Sequence, residues 1–349
     1  MGAKQVKCDR AVFVWEDPNQ SGPCGLMLAH VDDFLYGGNE YFLNTIIPKI
    51  RNVFKVGLEE EDKLKYLGLG ITQTSNGIDL SLENYIQGMK EMDTSKLGQD
   101  KLRKLNNLEK TEMKQLIGQI NWIATQNRPD IAYENCVMGG VADKSSVSDV
   151  FQVNKIIRKV QGQQLNLFFP SNFLLNSVRI VIFCDAAFAN LPDYGSQGGF
   201  MCFLVDDKGT YNLISWQSKR IKRVVNSSLS AECLAAVEAA ETSVLIRHKL
   251  EEMLCLERGS IPISILSDSK SLVEAVHKST SVQNKSLQID INMLREMVEE
   301  GTVNEFRWVA TNDQIANSLT KRGASTDNLK NVLMNKGMFD INTGIFRHL

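Results

Sequence analysis

Two short apolar stretches of the sequence each end in an aspartate. They are IVIFCD at residues 180–185 and ISILSD at residues 263–268, so the two acids are Asp185 and Asp268. β-Branched and aromatic residues favour buried strands, which predicts a strand in front of each acid. Because an unpaired carboxylate is costly to bury, each acid is predicted to be solvated, paired or bound to a metal ion.

Two further stretches place polar side chains at the start of helical patterns. Glu232 lies in the first turn of a long pattern that Ser228 or Ser230 can cap. Asp313 opens a pattern near the C-terminus that also contains Asn317. Magnesium prefers oxygen ligands. Together with the two strand-end aspartates, these residues are the types that an oxygen-lined site for a hard divalent cation requires.

This order of strand-Asp, helix-Glu, strand-Asp and polar helix resembles the ribonuclease H domain of copia-type LTR retrotransposon Pol polyproteins. The segments that carry the resemblance are ISWQSKR at 214–220, SSLSAECLAA at 227–236, LSDSKSLVEA at 266–275, QIDINMLRE at 288–296 and DQIANSLTK at 313–321. The resemblance implies an α/β fold, a mixed sheet of five strands with helices on both faces. It also implies hydrolysis of the RNA strand of an RNA–DNA hybrid by two-metal catalysis with Mg²⁺ or Mn²⁺.

The resemblance assigns a role to each acid. Asp185 would bridge both metals from the central strand, Glu232 would reach in from its helix, and Asp268 would come from the neighbouring strand. Simpler explanations exist for each residue. The two aspartates could be solvated acids at strand ends, and the glutamate could complement the dipole of its helix.

The fourth ligand position departs from the family pattern. Where the family has Ala-Asp, this chain has Ala316-Asn317. An amide oxygen can bind a cation but adds no negative charge, so we expect weakened catalysis. Asp313 lies one helical turn before Asn317 and could serve as the fourth ligand instead, although we favour it as the cap of the helix.

A second pair of acids, Asp32 and Asp33, follows an apolar segment near the N-terminus. Residues 11–15 and 25–30 have the patterns of strands, and turn-forming residues separate them. The pair resembles the paired aspartates on the hairpin of a reverse transcriptase, which would make it a remnant polymerase metal site. A solvated β-turn explains the pair equally well.

The resemblance divides the chain into four parts. They are a partial reverse-transcriptase palm at 1–90, a helical thumb and connection at 91–177, an RNase H-like domain at 178–323 and a C-terminal tail at 324–349. In the palm, Asn39 can cap a helix that Pro48 kinks or divides, and Ser75-Asn76-Gly77 predicts a hairpin of two strands. Helices are predicted from Thr111, over 147–161 and from Asp313 to Gly323. Residues 339–349 are expected to be loosely held.

We expect no DNA polymerase activity from this chain. A polymerase site needs a third aspartate on a strand upstream of the paired ones, and residues 1–31 contain no strand pattern that ends in Asp. The finger segments that hold the incoming nucleotide are not recognisable either. Primer extension by the purified chain on a primed RNA template would contradict this expectation.

Four cations occur within five positions directly after a predicted strand: Lys219, Arg220, Lys222 and Arg223. Such a cluster is a candidate contact for the phosphates of an RNA–DNA hybrid. A solvated basic loop explains it equally well. Trp216, in the preceding strand, is interpreted as a core residue and not as a platform for a base.

The bulk composition excludes several classes of protein. The formal net charge is −2, so a nucleic-acid signal has to be a local patch. Seven cysteines without a C-x-x-C pair indicate free thiols in a reducing compartment, which predicts the cytoplasm, a cytoplasmic particle or the nucleus rather than secretion. No apolar run approaches the length of a membrane span, so no membrane partner is expected.

Two functions from different classes fit these observations. The first, which we favour, is an RNase H-type endonuclease. The second is a catalytically weakened or inactive nucleic-acid-binding or scaffold protein derived from a degenerate transposable element. The residue that separates them is Asn317, because it decides the charge available to the metal ions.

We expect Asn317→Asp to raise the rate of hybrid cleavage in Mg²⁺ by about one to three orders of magnitude, because one lost electrostatic stabiliser costs about 2–4 kcal/mol of barrier. Mn²⁺ should partly rescue the unmodified chain, since it tolerates amide ligands better. The measurement is cleavage of a labelled hybrid in each metal. If Asp313→Ala abolishes cleavage while Asn317→Asp changes nothing, Asp313 is the fourth ligand.

Overall fold

A computed structural model describes residues 2–18, 21–278, 282–334 and 337–347 of the chain. In the described part, none of the helices combines the length and the apolar character needed to cross a bilayer.

The N-terminal region is an antiparallel sheet with one helical segment on it. Its strands, in spatial order, are β1 (Lys4–Gln5), β2 (Val12–Glu16), β3 (Pro23–His30) and β4 (Asp33–Gly38). The sheet packs through Trp15 and Met27 on the segment that follows Asn39. Asn39 Oδ1 accepts a hydrogen bond from the backbone N–H of Phe42, 3.0 Å away, which agrees with its predicted role as a cap.

Pro48 divides the helical segment, as the sequence predicts. Phe42–Ile46 forms a π-helical turn, and α1 (Ile47–Arg51) continues with α-helical geometry. A proline has no N–H to donate and crowds the preceding turn. A wider, π-helical turn directly before it relieves this crowding.

A second antiparallel sheet joins two distant parts of the chain. It consists of β5 (Lys63–Tyr66), β6 (Leu69–Thr74), β7 (Gly77–Ser81) and β8 (Leu167–Pro170). The hairpin at Ser75-Asn76-Gly77 is present, but the region contains a third strand that we did not predict. In addition, β8 lies in the segment 91–177, for which a helical thumb and connection without strands was expected, and it pairs with β7.

Between β7 and β8 the chain forms a helical block. Its helices are α2 (Glu83–Gln87), α3 (Asn107–Gln126), α4 (Ala132–Val141) and α5 (Val147–Gln161). α3 begins four residues before the predicted Thr111, because Asn106 and Glu109 form a reciprocal capping box. The apolar face of α3 is buried in the core of the block, and the bounds of α5 agree with the prediction.

The C-terminal half is built on a five-stranded mixed sheet, which confirms the predicted fold class. Its strands are β9 (Arg179–Ala187), β10 (Ser196–Val205), β11 (Tyr211–Ile221), β12 (Ile263–Ser267) and β13 (Glu305–Trp308). The spatial order is β11-β10-β9-β12-β13. β10 is antiparallel to β9 and β11, whereas β12 is parallel to β9 and β13.

Helices cover both faces of this sheet. One face packs on α6 (Ser228–Met253), α7 (Lys270–His277) and α8 (Lys285–Glu299), with the small residues Ala236, Ala239 and Ala240 of α6 buried against the strands. The other face carries α9 (Asp327–Leu333) and Ala132 of α4. The cap of α6 is Ser227, whose Oγ accepts from the N–H of Ser230, and not Ser228 or Ser230.

The predicted helix from Asp313 to Gly323 is wrong. The chain forms two short 3-10 segments instead, Thr311–Asp313 and Ile315–Leu319. Gln314 separates them with an extended backbone, and its side chain makes two hydrogen bonds that hold the segments in place. Its Nε2 donates to the backbone oxygen of Cys184 at 2.9 Å, and its Oε1 accepts from the N–H of Ala316.

The tail is also more ordered than expected. β14 (Met338–Asp340) and β15 (Ile345–Arg347) form a hairpin, and Phe339 is buried in the core. Its ring lies 6.3 Å from that of Phe183 and 5.1 Å from that of Phe346, centroid to centroid. The last two residues of the predicted loose tail, His348 and Leu349, lie outside the described residues.

Phe339→Ala should therefore destabilise the chain by about 3–5 kcal/mol, since truncating a buried aromatic side chain leaves a cavity. Met338→Ala is the matched control, because Met338 is the neighbouring residue on the same strand and is exposed. Its cost should stay within about 0.5 kcal/mol. Chemical denaturation monitored by circular dichroism measures both. Equal, small effects of the two changes would show that the hairpin is not anchored in the core.

Candidate metal centre

Asp185 lies on the central strand β9 and is fully buried. Its partner in the neighbouring strand β10 is Gly199. A Cβ atom at Gly199 would lie 2.8 Å from the Cβ of Leu319 and 3.2 Å from the Cγ2 of Thr320. The glycine therefore leaves the room that the segment containing Leu319 and Thr320 needs to reach Asp185.

Glu232 and Asp268 approach Asp185 from two other elements. Glu232 projects from the first turn of α6, and Asp268 directly follows β12. One oxygen atom from each of the three carboxylates lies within 4.8 Å of the corresponding oxygen of the other two. The structure thus brings together three of the four residues that the sequence resemblance assigned to metal binding.

One carboxylate oxygen in this cluster has no hydrogen-bonding partner. The Oε2 atom of Glu232 is buried, and it accepts no hydrogen bond from the described residues. A buried oxygen that is not satisfied carries its full desolvation cost. A divalent cation that prefers oxygen ligands would satisfy this atom, so the donor set fits such an ion.

The electrostatics of the cluster also favour a bound cation. Burial, together with the negative charges of Asp185 and Asp268, raises the pKa of Glu232 to about 9. Burial raises the pKa of Asp185 to about 6, while the neighbouring Lys321 and Thr320 oppose the rise. Without a cation, the cluster therefore holds protons that a metal ion would displace.

Two residues that were not predicted as part of the site contact Asp185. The Nζ atom of Lys321 lies 3.3 Å from Asp185 Oδ1, and the hydroxyl of Thr320 donates to Asp185 Oδ2. The backbone here is held by Asn190 Nδ2, which donates to the oxygen of Thr320 at 2.7 Å, and by Ser218 Oγ, which donates to that of Leu319 at 2.6 Å. The only sequence signal was their position at the end of DQIANSLTK.

Asn317 is oriented by two hydrogen bonds. Its Nδ2 donates to the backbone oxygen of Thr311 at 2.9 Å, and its Oδ1 accepts from Lys321 Nζ. The role of Asn317 as a metal ligand stays a prediction. Asp313, the alternative ligand, is not part of the carboxylate cluster, which contains Asp185, Glu232 and Asp268 among the described residues.

The acidic pair near the N-terminus forms the predicted hairpin. β3 ends at His30 and β4 begins at Asp33, so Val31 and Asp32 make the turn, and both aspartates are exposed. Within the part of the chain that the structure describes, no third metal-binding side chain joins them. Both interpretations of the pair, a solvated turn and a remnant polymerase site, stay predictions.

The basic patch lies beside a groove of about 350 Å³ between β10, β11 and α6. Three of its cations already have acidic partners: Lys219 pairs with Glu238, Arg220 with Asp193, and Arg223 with Asp290. Lys222 is exposed and lines the same groove. Asp290 in α8 is thus the ion-pair partner of Arg223.

Trp216 is partly buried and connects the helical block to the sheet. Its Nε1 donates to the backbone oxygen of Ala124 in α3 at 2.7 Å, and its ring packs on the core beneath β9 and β10. This contact supports the interpretation of Trp216 as a core residue.

Comparison with known proteins identifies relatives of most of the chain. It is 25% identical over 310 residues to the retrovirus-related Pol polyprotein from transposon RE1 of Arabidopsis thaliana, which covers 84% of this chain and 20% of that protein. It is 24% identical over 322 residues to the polyprotein from transposon TNT 1-94 of Nicotiana tabacum, covering 85% and 23%. The chain therefore spans about a fifth of the length of these relatives. No family model matches the chain.

The fold has a counterpart among solved structures. The foamy viral protease-reverse transcriptase in complex with an RNA/DNA hybrid superposes with a TM-score of 0.51 at 14% identity, over 86% of this chain and 37% of that one. The homologues are thus retrovirus-related Pol polyproteins from copia-type transposons, which confirms the resemblance stated from the sequence motifs.

Glu232→Gln should stabilise the metal-free chain at pH 8. The pKa of Glu232 is raised from its ordinary 4.5 to about 9, so its contribution to stability is complete below pH 4.5 and is lost as the pH rises towards 9. Glutamine stays neutral throughout. With a chelator present, we expect the variant to melt a few degrees higher at pH 8 and at the same temperature as the wild type at pH 4.

The exposed Glu257 supplies the control for this comparison, and Glu257→Gln should show no such pH dependence. Adding Mg²⁺ should raise the melting temperature of the wild type more than that of Glu232→Gln, because only the former keeps all three carboxylates. If the melting temperatures of the wild type and of Glu232→Gln change with pH in the same way, the assignment of a desolvated Glu232 is wrong.

Proposed function

We propose that this chain, as part of a retrotransposon Pol-type polyprotein, hydrolyses the RNA strand of an RNA–DNA hybrid in a reaction that depends on a divalent cation. The observation that carries the proposal is the carboxylate cluster that two central strands of an RNase H-like sheet form with helix α6. The homologous polyproteins support the same assignment.

Asp185, Glu232 and Asp268 would hold the cation, and their oxygen-only donor set favours Mg²⁺ or Mn²⁺ over softer metals. Cations bound there would activate a water molecule and stabilise the leaving oxygen of the phosphodiester. The sequence resemblance implies two cations, and that number stays a prediction.

The residues of the chain supply the rigidity that this reaction requires. Asp185 is held on a strand with hydrogen-bonded neighbours on both sides, and Asp268 follows the adjacent strand. The indole N–H of Trp308 donates to the backbone oxygen of Asp268 at 3.1 Å and so holds the end of β12 in place. Fixed ligands reduce the reorganisation that accompanies the transition state.

We further propose that the basic patch contacts the phosphates of the hybrid. The groove beside it separates β11 from α6 and contains both Lys219 and Lys222. Arg220 and Arg223 would exchange their acidic partners for phosphates on binding, and Glu238, beside Lys219, would be displaced in the same way. Because an ion pair has to be broken first, the exchange lowers the binding free energy gained from each of these phosphate contacts. Lys222 is therefore expected to contribute more to binding than the other three cations.

The second candidate function is nucleic-acid binding without efficient catalysis. It is favoured by one specific observation, the ammonium of Lys321 beside Asp185, because that charge competes with a metal ion for the same oxygen. We also propose that this span alone does not extend a primer, since Asp32 and Asp33 would supply only two of the carboxylates that a polymerase site needs.

Cleavage of a labelled RNA–DNA hybrid by the purified chain in Mg²⁺ and in Mn²⁺ tests the enzymatic proposal. We expect metal-dependent cleavage of the RNA strand, which Asp185→Asn should reduce by at least about a hundredfold. Glu257→Gln, which removes an exposed charge away from the cluster, should leave the rate unchanged. Binding of the hybrid without cleavage in either metal would support the second candidate instead.

Hybrid binding should survive the loss of catalysis, because interactions with phosphates carry most of the affinity. Replacing Lys219, Arg220, Lys222 and Arg223 with Ala should weaken binding and flatten its dependence on salt, by up to about 0.7–0.9 in logarithmic slope for each phosphate that the variant no longer neutralises. Asp185→Asn should leave both quantities nearly unchanged. Fluorescence anisotropy at several salt concentrations measures them, and an unchanged slope in the fourfold variant would identify the patch as a solvated loop.

A further inference from the structure

The ammonium group of Lys321 occupies a defined position at the carboxylate cluster. It lies 3.3 Å from Asp185 Oδ1, and the aspartate side chain that it contacts is fully buried. The lysine side chain itself is 42% exposed, so the ammonium joins a buried carboxylate to the surface of the chain.

Asn317 is arranged to hold this lysine. One end of its amide is committed to the backbone oxygen of Thr311, which can only accept a hydrogen bond, so the other end must present its oxygen to Lys321. A carboxylate in the same position would face the Thr311 oxygen with no hydrogen to donate. The amide is thus chemically matched to its two neighbours, and a fourth acid is not.

The charge of the three carboxylates can be neutralised by one divalent cation together with the ammonium group of Lys321. Four carboxylates would be neutralised by two divalent cations, but this cluster has three carboxylates. One divalent cation and one ammonium group together supply the same positive charge as those three carboxylates carry negative charge. A second divalent cation next to Lys321 would leave an excess of positive charge in a desolvated place, which is unfavourable.

We infer that Lys321 takes the position of the second metal ion, so that this chain binds a single divalent cation at the cluster. The inference rests on the proposed function and specifies its metal requirement. Lys321 acts as a positioning residue: together with Thr320, which donates to Asp185 Oδ2, it fixes the Asp185 carboxylate. It also contributes a positive charge beside the place where negative charge would develop on the phosphate.

The number of cations is the first test. Mn²⁺ bound to the intact chain can be counted by electron paramagnetic resonance of the free ion and by titration calorimetry, without any substrate. We expect one site per chain in the wild type. Two sites of comparable affinity would overturn the inference, because Lys321 would then have left the cluster.

Lys321→Met tests the role of the charge. Removing a cation from beside Asp185 should tighten the first Mn²⁺ site by about tenfold or more, because charges interact strongly at this distance in a partly dry site. The same change should slow hybrid cleavage by about a hundredfold, the typical effect of losing one electrostatic stabiliser. Tighter metal binding with slower chemistry is a combination that the removal of a merely structural interaction does not produce.

Two variants control this experiment. Lys321→Arg keeps the charge and should retain single-site binding with the affinity of the wild type. Lys208→Met removes an exposed lysine from the turn between β10 and β11 and should change neither affinity nor rate. Unchanged or weaker Mn²⁺ binding by a folded Lys321→Met chain would overturn the inference, and Lys321→Gln provides a second neutral variant with the same expectation.

Asn317→Asp separates the two interpretations of Asn317. If Asn317 is an impaired fourth ligand, the acid raises the rate in Mg²⁺, as expected from the sequence. If it holds Lys321, the acid draws the ammonium away from Asp185 and loses the hydrogen bond to Thr311, so the rate does not rise. A tenfold or greater increase would therefore overturn the role of Lys321.

The metal measurements remain informative if the proposed function fails. A chain that cleaves no hybrid but binds one Mn²⁺, more tightly after Lys321→Met, would refute the proposed function and support the single-cation site. A chain that cleaves hybrid and binds two Mn²⁺ ions would support the proposed function and refute the single-cation site.

Discussion

The close approach of three carboxyl groups, of which that of Asp185 is fully buried, is the constraint on which the C-terminal half depends. Asp185 has no exposure to solvent, and one oxygen each of Asp185, Glu232 and Asp268 lie within 4.8 Å of one another. Such a cluster is unstable by itself, so the surrounding structure has to hold it together. The cluster therefore lowers the stability of the metal-free chain, and a bound cation would offset that loss.

The scaffold meets this constraint through contacts between segments that are far apart in sequence. Gln314 reaches back to the backbone of Cys184, next to Asp185, and the lack of a side chain at Gly199 admits the segment that carries Thr320 and Lys321. The C-terminal hairpin adds Phe339 to the core beneath the same strand. Each of these contacts fixes the central strand from the face opposite to α6.

Sequence patterns predicted most of the regular structure and the three converging acids. Strand and helix periodicity depends on local side-chain alternation, so β9, β12, α5 and most of α3 could be recognised. The 3-10 segments and the ordered tail could not, because they depend on tertiary contacts of Gln314 and Phe339. Lys321 was missed for a related reason: a lysine near the end of a helical pattern is ordinarily explained by the helix dipole.

The pairing of β7 with β8 has a consequence for how the chain folds. The two strands are joined by the whole helical block, so the second sheet cannot be completed until residues 167–170 have been synthesised. Because α2, α3 and α5 form a core of their own, the block can condense early and bring the two strands close, which lowers the entropy lost on closing so long a loop. Cutting the chain at residue 90 or at residue 166 would therefore leave an unpaired edge on β7, and an exposed edge of this kind favours aggregation.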